Sequence, residues 1–113
     1  MISSEFKIIK GVLKEYNGNG GDVIIPDSVK KIGTKVFSGR TDILSVVIPK
    51  TVSYIGEDAF SDCTSLSRLK IASGVKDISR GAFAKCRSLV SLTMPKSVKH
   101  IGVNAFYGCN GLS

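Results

Sequence analysis

The stretch Ile48-Pro49-Lys50-Thr51-Val52-Ser53-Tyr54-Ile55-Gly56-Glu57-Asp58-Ala59-Phe60-Ser61-Asp62-Cys63 decides the fold, because its skeleton recurs through the chain with minor variation. Phe37, Phe60, Phe83 and Phe106 stand 23 positions apart, as do Ile32, Ile55, Ile78 and Ile101. A repeat of this length signals a solenoid: one copy is one coil, which cannot bury its own apolar face and must stack on its neighbours. Cutting at the mostly Leu or Ile position that opens each copy gives coils 20–42, 43–65, 66–88 and 89–111, with Leu112 opening a truncated fifth.

Within a coil, the columns of Leu69 and Ile71 are apolar and alternate with polar positions, as in Ser91-Leu92-Thr93-Met94. That period of two is the signature of a half-buried strand. Pro26, Pro49 and Pro95 follow at the strand's end, where a missing N–H and a fixed φ stop the ladder cheaply. A second extended stretch runs through Val52 and Ile55, and Gly33, Gly56 and Gly102 supply backbone freedom at its far end. Ser79 fills that column in the third coil. Either the turn needs no left-handed residue in every copy, or the third coil departs locally. Ala59, Phe60 and Cys63 then fall at i, i+1 and i+4, which predicts a single helical or 3₁₀ turn.

Ahead of the coils, Phe6 to Tyr16 reads as a β-hairpin around Lys10-Gly11, followed by the loop Asn17 to Gly21, so 1–19 is expected to be an N-terminal cap. At the other end Leu112-Ser113 offers no comparable polar closing element, which predicts a piece of a longer array. The 113 residues suit one packed body at 42% hydrophobic content, and no apolar run approaches the roughly 20 residues of a membrane span. Met1 to Lys10 lacks the charged-then-apolar pattern of a secretory leader, which leaves an intracellular protein or a chain without its leader.

These copies, from Leu66-Ser67-Arg68-Leu69-Lys70-Ile71 through Ala82-Phe83-Ala84-Lys85-Cys86 and the fuller copy quoted above, resemble the BspA-type (Treponema-type) leucine-rich repeats over Val23 to Leu112. The resemblance implies a leucine-rich-repeat solenoid, and a bacterial or protozoan surface or secreted protein, some members being implicated in adhesion to host matrix or to other cells. It thus implies an extracellular or cell-surface location, the leader and anchor being absent from this chain. The chain departs from the family pattern at Arg40, which begins the cysteine column without cysteine, and at Ala72 and Ser79.

Catalytic and metal chemistry find little footing. Cys63, Cys86 and Cys109 recur at the repeat interval, neither a paired disulfide framework nor a C-x-x-C zinc spacing, and read as buried free thiols; without a further coil Cys109 is expected to be exposed. His100 is the one histidine, so no multi-histidine site forms within the chain. Glu57-Asp58 occupy an outward turn and not a pocket, and the Asn17 to Gly21 loop lacks phosphate-loop spacing. The expectation is a non-enzymatic module without a cofactor.

Two exposed sets remain. On the strand ladder the outward columns carry Asp22, Ser45, Arg68, Ser91 and Ile24, Val47, Lys70, Thr93. Solenoids recognise partners through such arrays, so Ile24, Val47, Arg68, Lys70 and Thr93 are the candidate contacts for a protein partner such as a host matrix or another cell-surface protein. The second set is a broken basic stripe of Lys30, Lys31, Lys76, Lys96 and Lys99, with Lys50, in a chain whose 16 basic residues exceed its 9 acidic ones for a net +7. An anionic glycan suits the stripe; specific nucleic-acid readout does not, since no aromatic series interleaves. A passive spacer between other modules of a longer chain is the remaining alternative.

Overall fold

A computed structural model describes residues 5–112; residues 1–4 and 113, the outer ends of the expected cap and fifth coil, lie outside the described residues. Ten strands wind as a β-solenoid, with no helix among the described residues. A hairpin of β1 (Phe6–Ile9) and β2 (Val12–Tyr16) leads into four coils, each with two strands. The first strands are β3 (Gly21–Ile24), β5 (Ile43–Ile48), β7 (Arg68–Ile71) and β9 (Ser91–Thr93), and they form one parallel sheet in that order. The second strands are two residues each: β4 (Lys31–Ile32), β6 (Tyr54–Ile55), β8 (Asp77–Ile78) and β10 (His100–Ile101). They line up in a second sheet, to which β2 adds in parallel and β1 antiparallel.

Equivalent residues lie on top of one another. Val23, Val46, Leu69 and Leu92 are in register along one sheet, and Ile32, Ile55, Ile78 and Ile101 along the other. The four phenylalanine rings form a single file, with centroids 4.7, 5.0 and 5.3 Å apart and planes within 12° of parallel. Tyr16 and Phe6 continue the file into the hairpin at 5.0 and 5.2 Å, tilted by about 42–43°. The hairpin thus meets the first coil with aromatic rings as well as with strand pairing. Its turn residues Lys10 and Gly11 both have positive φ, as a tight two-residue hairpin turn requires.

The turn that carries Phe and Cys closes with i→i+3 bonds. Ala59 N–H donates to Gly56 O, Ser61 N–H to Asp58 O and Cys63 N–H to Phe60 O, at 3.2, 3.2 and 3.3 Å. It does not lengthen into a helix, because two columns of left-handed residues interrupt it: Lys35, Asp58, Gly81 and Asn104, then Gly39, Asp62, Lys85 and Gly108. This backbone aims three N–H groups per coil along the stack. Asp58, Phe60 and Asp62 donate to the carbonyls of Arg80, Ala82 and Ala84 at 3.0, 2.7 and 2.8 Å, and the coils on either side repeat the pattern. The arc is thus hydrogen-bonded between coils although it is neither strand nor helix.

Gly33, Gly56 and Gly102 do not have positive φ. Their column needs glycine for closeness: a Cβ on Gly56 would lie 2.6 Å from Ile32 O and 2.8 Å from Gly33 C. Of the two readings left open by Ser79, the first holds, and the left-handed positions lie elsewhere in the coil. In the last coil Ile101 is 54% exposed, whereas Ile32, Ile55 and Ile78 are buried; Val90, Val103 and Tyr107 of the same coil are exposed as well.

Candidate interaction surfaces

The outward side of the β3-β5-β7-β9 sheet is ordered by the ladder that builds it. Ile24 pairs with Val47, Val47 with Lys70 and Lys70 with Thr93; in the neighbouring column Asp22, Ser45, Arg68 and Ser91 are in register. All five candidate contacts thus belong to one face, with Ile24 70% exposed, Arg68, Lys70 and Thr93 exposed and Val47 half-buried. Ser45 Oγ donates to Asp22 Oδ1 at 2.7 Å, which occupies the one carboxylate on this face. Among the described residues Arg68 and Lys70 have no such acidic partner, so the face grades from apolar in the first two coils to cationic in the third.

Two residues of this face escape a strict period-two reading. The register shifts between Gly21 and Asp22, so Leu44 and Ser45 both turn outward in succession, and Leu44 is exposed. Ser67 N–H donates to Leu44 O and Val90 N–H to Ser67 O, which puts the exposed Val90 in the same column. The adjacency of two apolar residues, Ile43-Leu44, was the available signal, since simple alternation cannot bury both.

The lysines of the second set occupy the corner between the two sheets. Pro26-to-Val29 and Pro49-to-Val52 turns bend the chain there, and Lys30, Ser53, Lys76 and Lys99 are bonded backbone to backbone from coil to coil at 2.8–2.9 Å. Lys30, Lys31, Lys50, Lys76, Lys96 and Lys99 are all exposed. Tyr54 lies between Lys31 and Asp77 in register and is partly exposed. His100 ends that row and is exposed.

The thiols are inert by position. Cys63, Cys86 and Cys109 each donate Sγ–H to the carbonyl of a phenylalanine in the preceding coil, Phe37, Phe60 and Phe83, at 3.1, 3.2 and 3.1 Å. Burial pushes the Cys63 thiol up to about 12 and raises Cys86 and Cys109 as well, so the reactive thiolate is suppressed. Cys109 is half-buried and hydrogen-bonded, not laid bare as the sequence led us to expect. Arg40 takes the cysteine position in the first coil and works differently. Its guanidinium donates to Gly18 O at 2.7 Å and to Tyr16 O at 3.3 Å, sits 4.8 Å from the Tyr16 ring centroid, and pairs with Asp42 at 2.8 Å. The bond to Asp42 raises the arginine's own pKa and lowers that of the carboxyl. The family departure is therefore a clasp that holds the cap to the first coil. Among the described residues no enclosed cavity and no cluster of metal-binding side chains is present.

The model of the BspA-type leucine-rich repeat region matches residues 15–113. The chain belongs to the BspA-type leucine-rich repeat family. Its fold is similar to a leucine-rich cell surface protein from Faecalibacterium prausnitzii, at 33% identity and a TM-score of 0.91 over 100% of this chain and 35% of that one. The Treponema pallidum leucine-rich repeat protein is similar at 28% identity and a TM-score of 0.85, covering 100% of this chain and 69% of that one. A Bacteroides ovatus leucine-rich repeat protein matches 80% of this chain and 23% of its own at 34% identity and a TM-score of 0.72. No curated protein matches. The chain thus spans about a third of the length of its Faecalibacterium relative. BspA-type repeats are ordinarily non-enzymatic and serve as interaction modules of surface-type proteins, and no helix among the described residues is long and apolar enough to cross a membrane.

Proposed function

We propose that this BspA-type repeat is a non-enzymatic binding module of a surface or secreted protein, and that it engages a protein partner, in an adhesive role, through the outward face of the β3-β5-β7-β9 sheet. One observation carries the reading: Ile24 and Val47 lie side by side, in register with Lys70, on a ladder that fixes their spacing. A large exposed aliphatic side chain on a rigid strand contributes contact area at little entropic cost on binding. Arg68 and Lys70 in the third coil then favour a partner whose apolar patch is flanked by carboxylates, while Thr93 extends the contact into the fourth. The cell-surface designation of the Faecalibacterium relative supports the location.

The test compares the parent chain with Arg68→Glu/Lys70→Glu and Ile24→Asp variants, by biolayer interferometry, on immobilised extracellular-matrix proteins and on intact cells. These residues are exposed, so the variants stay folded within about 0.5 kcal/mol. Loss of binding of tenfold or more in both supports the face. Undiminished binding in both removes it, and a chain that binds none of these surfaces favours the spacer reading.

A further inference from the structure

We infer that the corner between the two sheets is a second, independent binding surface, for a linear anionic polysaccharide laid along the stacking axis. Six exposed lysines line it, in columns that flank the same Pro-to-Val turn: Lys50 and Lys96 before the turn's valine, Lys30, Lys76 and Lys99 just after, with Lys31 beside them. Lys10 extends the row into the hairpin, because Gly11 O accepts the N–H groups of both Lys30 and Lys31. Every layer from hairpin to fourth coil thus supplies at least one cation. Layers separated by about 4.8 Å make a charged edge roughly 19 Å long.

The charge is concentrated and unspent. Seven lysines face two acids at this corner, Asp27 and Asp77, so it holds five of the chain's seven net positive charges. Among the described residues none of these lysines has a carboxylate within ion-pairing distance; the ion pairs of Lys7 with Glu15 and Arg40 with Asp42 lie elsewhere. The composition also selects the ligand. All four arginines, Arg40, Arg68, Arg80 and Arg87, lie off the corner. Lysine is a non-directional point charge, whereas arginine's planar fork fixes the orientation of the carboxylate or phosphate it pairs with, so a row of lysines asks only for negative charge at suitable intervals. Tyr54 is the corner's one aromatic, too few to stack successive bases. A chain with carboxylate or sulfate groups at intervals of several ångströms meets the row without needing a fixed register.

The test uses heparin and hyaluronan as sulfated and carboxylated probes and a single-stranded oligonucleotide of matched charge, with affinities measured between 50 and 200 mM salt. If about five lysines engage, log affinity falls with log salt at a slope near −3.5, a loss of about 100-fold over that range. Lys30→Gln/Lys76→Gln/Lys99→Gln should cut the slope to about −1.4, leaving a loss under about tenfold. Lys35→Gln/Arg80→Gln/Arg87→Gln removes the same charge from the exposed turn arc and should leave the slope unchanged. Circular dichroism verifies the fold of each. Binding to heparin alone or to both polysaccharides supports the surface and separates sulfate from carboxylate as its ligand. Equal weakening by both variants, no polysaccharide binding at 50 mM salt, or tighter binding of the oligonucleotide overturns it.

Discussion

Truncating one ring of the phenylalanine file should cost far more in the middle than at the end. Phe60 is fully buried with a stacked ring on each side, Phe37 at 4.7 Å and Phe83 at 5.0 Å. Phe106 is half-buried and has Phe83 on one side at 5.3 Å. Removing a buried phenylalanine side chain costs about 3–5 kcal/mol, of which each ring pair accounts for about 0.5–1.5. Phe60→Ala forfeits two pairs and leaves a sealed void. Phe106→Ala forfeits one pair and opens onto solvent, so about 1–2.5 kcal/mol is expected there. Coils couple only to their neighbours, so both costs should appear in full and neither should be absorbed elsewhere. Urea unfolding followed by far-ultraviolet circular dichroism reads the difference. With a slope of about 2 kcal/mol/M, the midpoint for Phe60→Ala should lie about 1 M below that for Phe106→Ala. Equal shifts, or a larger one for Phe106→Ala, would refute the stacked file as the unit of stability.

Two further changes probe the turn arc. Lys85 is held at φ 63° in a column where Gly39 and Gly108 also stand, so Lys85→Gly should be neutral or stabilising by about 0.5–1 kcal/mol, the relief of left-handed strain outweighing glycine's entropy; thermal melts check it, and a clear loss of stability contradicts the assignment. The second is pH. An unfolded thiol ionises near about 8.5, while folded Cys63 holds its proton up to about 12 and Cys86 is raised too. Between those values the unfolded state binds fewer protons, so stability is full below about pH 8.5 and falls as pH rises, by about 1.4 kcal/mol per unit for each thiol. Cys63→Ala/Cys86→Ala should flatten unfolding free energy between pH 9.5 and 11 relative to the parent, and an unchanged slope would mean the thiols ionise in the folded coil.

What the sequence made legible is what the stack repeats. Register, strand columns and ring file all follow from apolar side chains recurring at one interval, because a coil is stable only if its neighbour presents the same shape; the hairpin was legible separately, from its turn at Lys10-Gly11. The left-handed columns were not legible. One holds Lys35, Asp58, Gly81 and Asn104 and the other Gly39, Asp62, Lys85 and Gly108, residues united by backbone shape and not by one residue type. The glycine that recurs at Gly33, Gly56 and Gly102 marks a different requirement, the close approach of Gly56 to Ile32 O. Arg40 was visible as a departure from the cysteine column, but its role depends on carbonyls of Tyr16 and Gly18, 24 and 22 residues away.

The same physics explains why both proposed surfaces resist reading from the period. Inward columns are constrained to repeat: Val23, Val46, Leu69 and Leu92 occupy one pit in four successive layers. Outward columns face water and bear no such constraint, so Asp22, Ser45, Arg68 and Ser91 share a register and nothing else. Specificity in a solenoid must therefore lie where the repeat is broken, and a side chain that departs from its column on an exposed face carries more information about a partner than any that conforms. By that measure Ile24, with Val47, is the most informative part of the strand face, since the column that they open continues with the polar Lys70 and Thr93. At the corner the logic inverts: lysine returns in layer after layer although nothing in the core demands it. A repeated charge without a structural cause is the mark of a ligand that is itself repetitive, which is why a polymer, and not a folded protein, suits that edge.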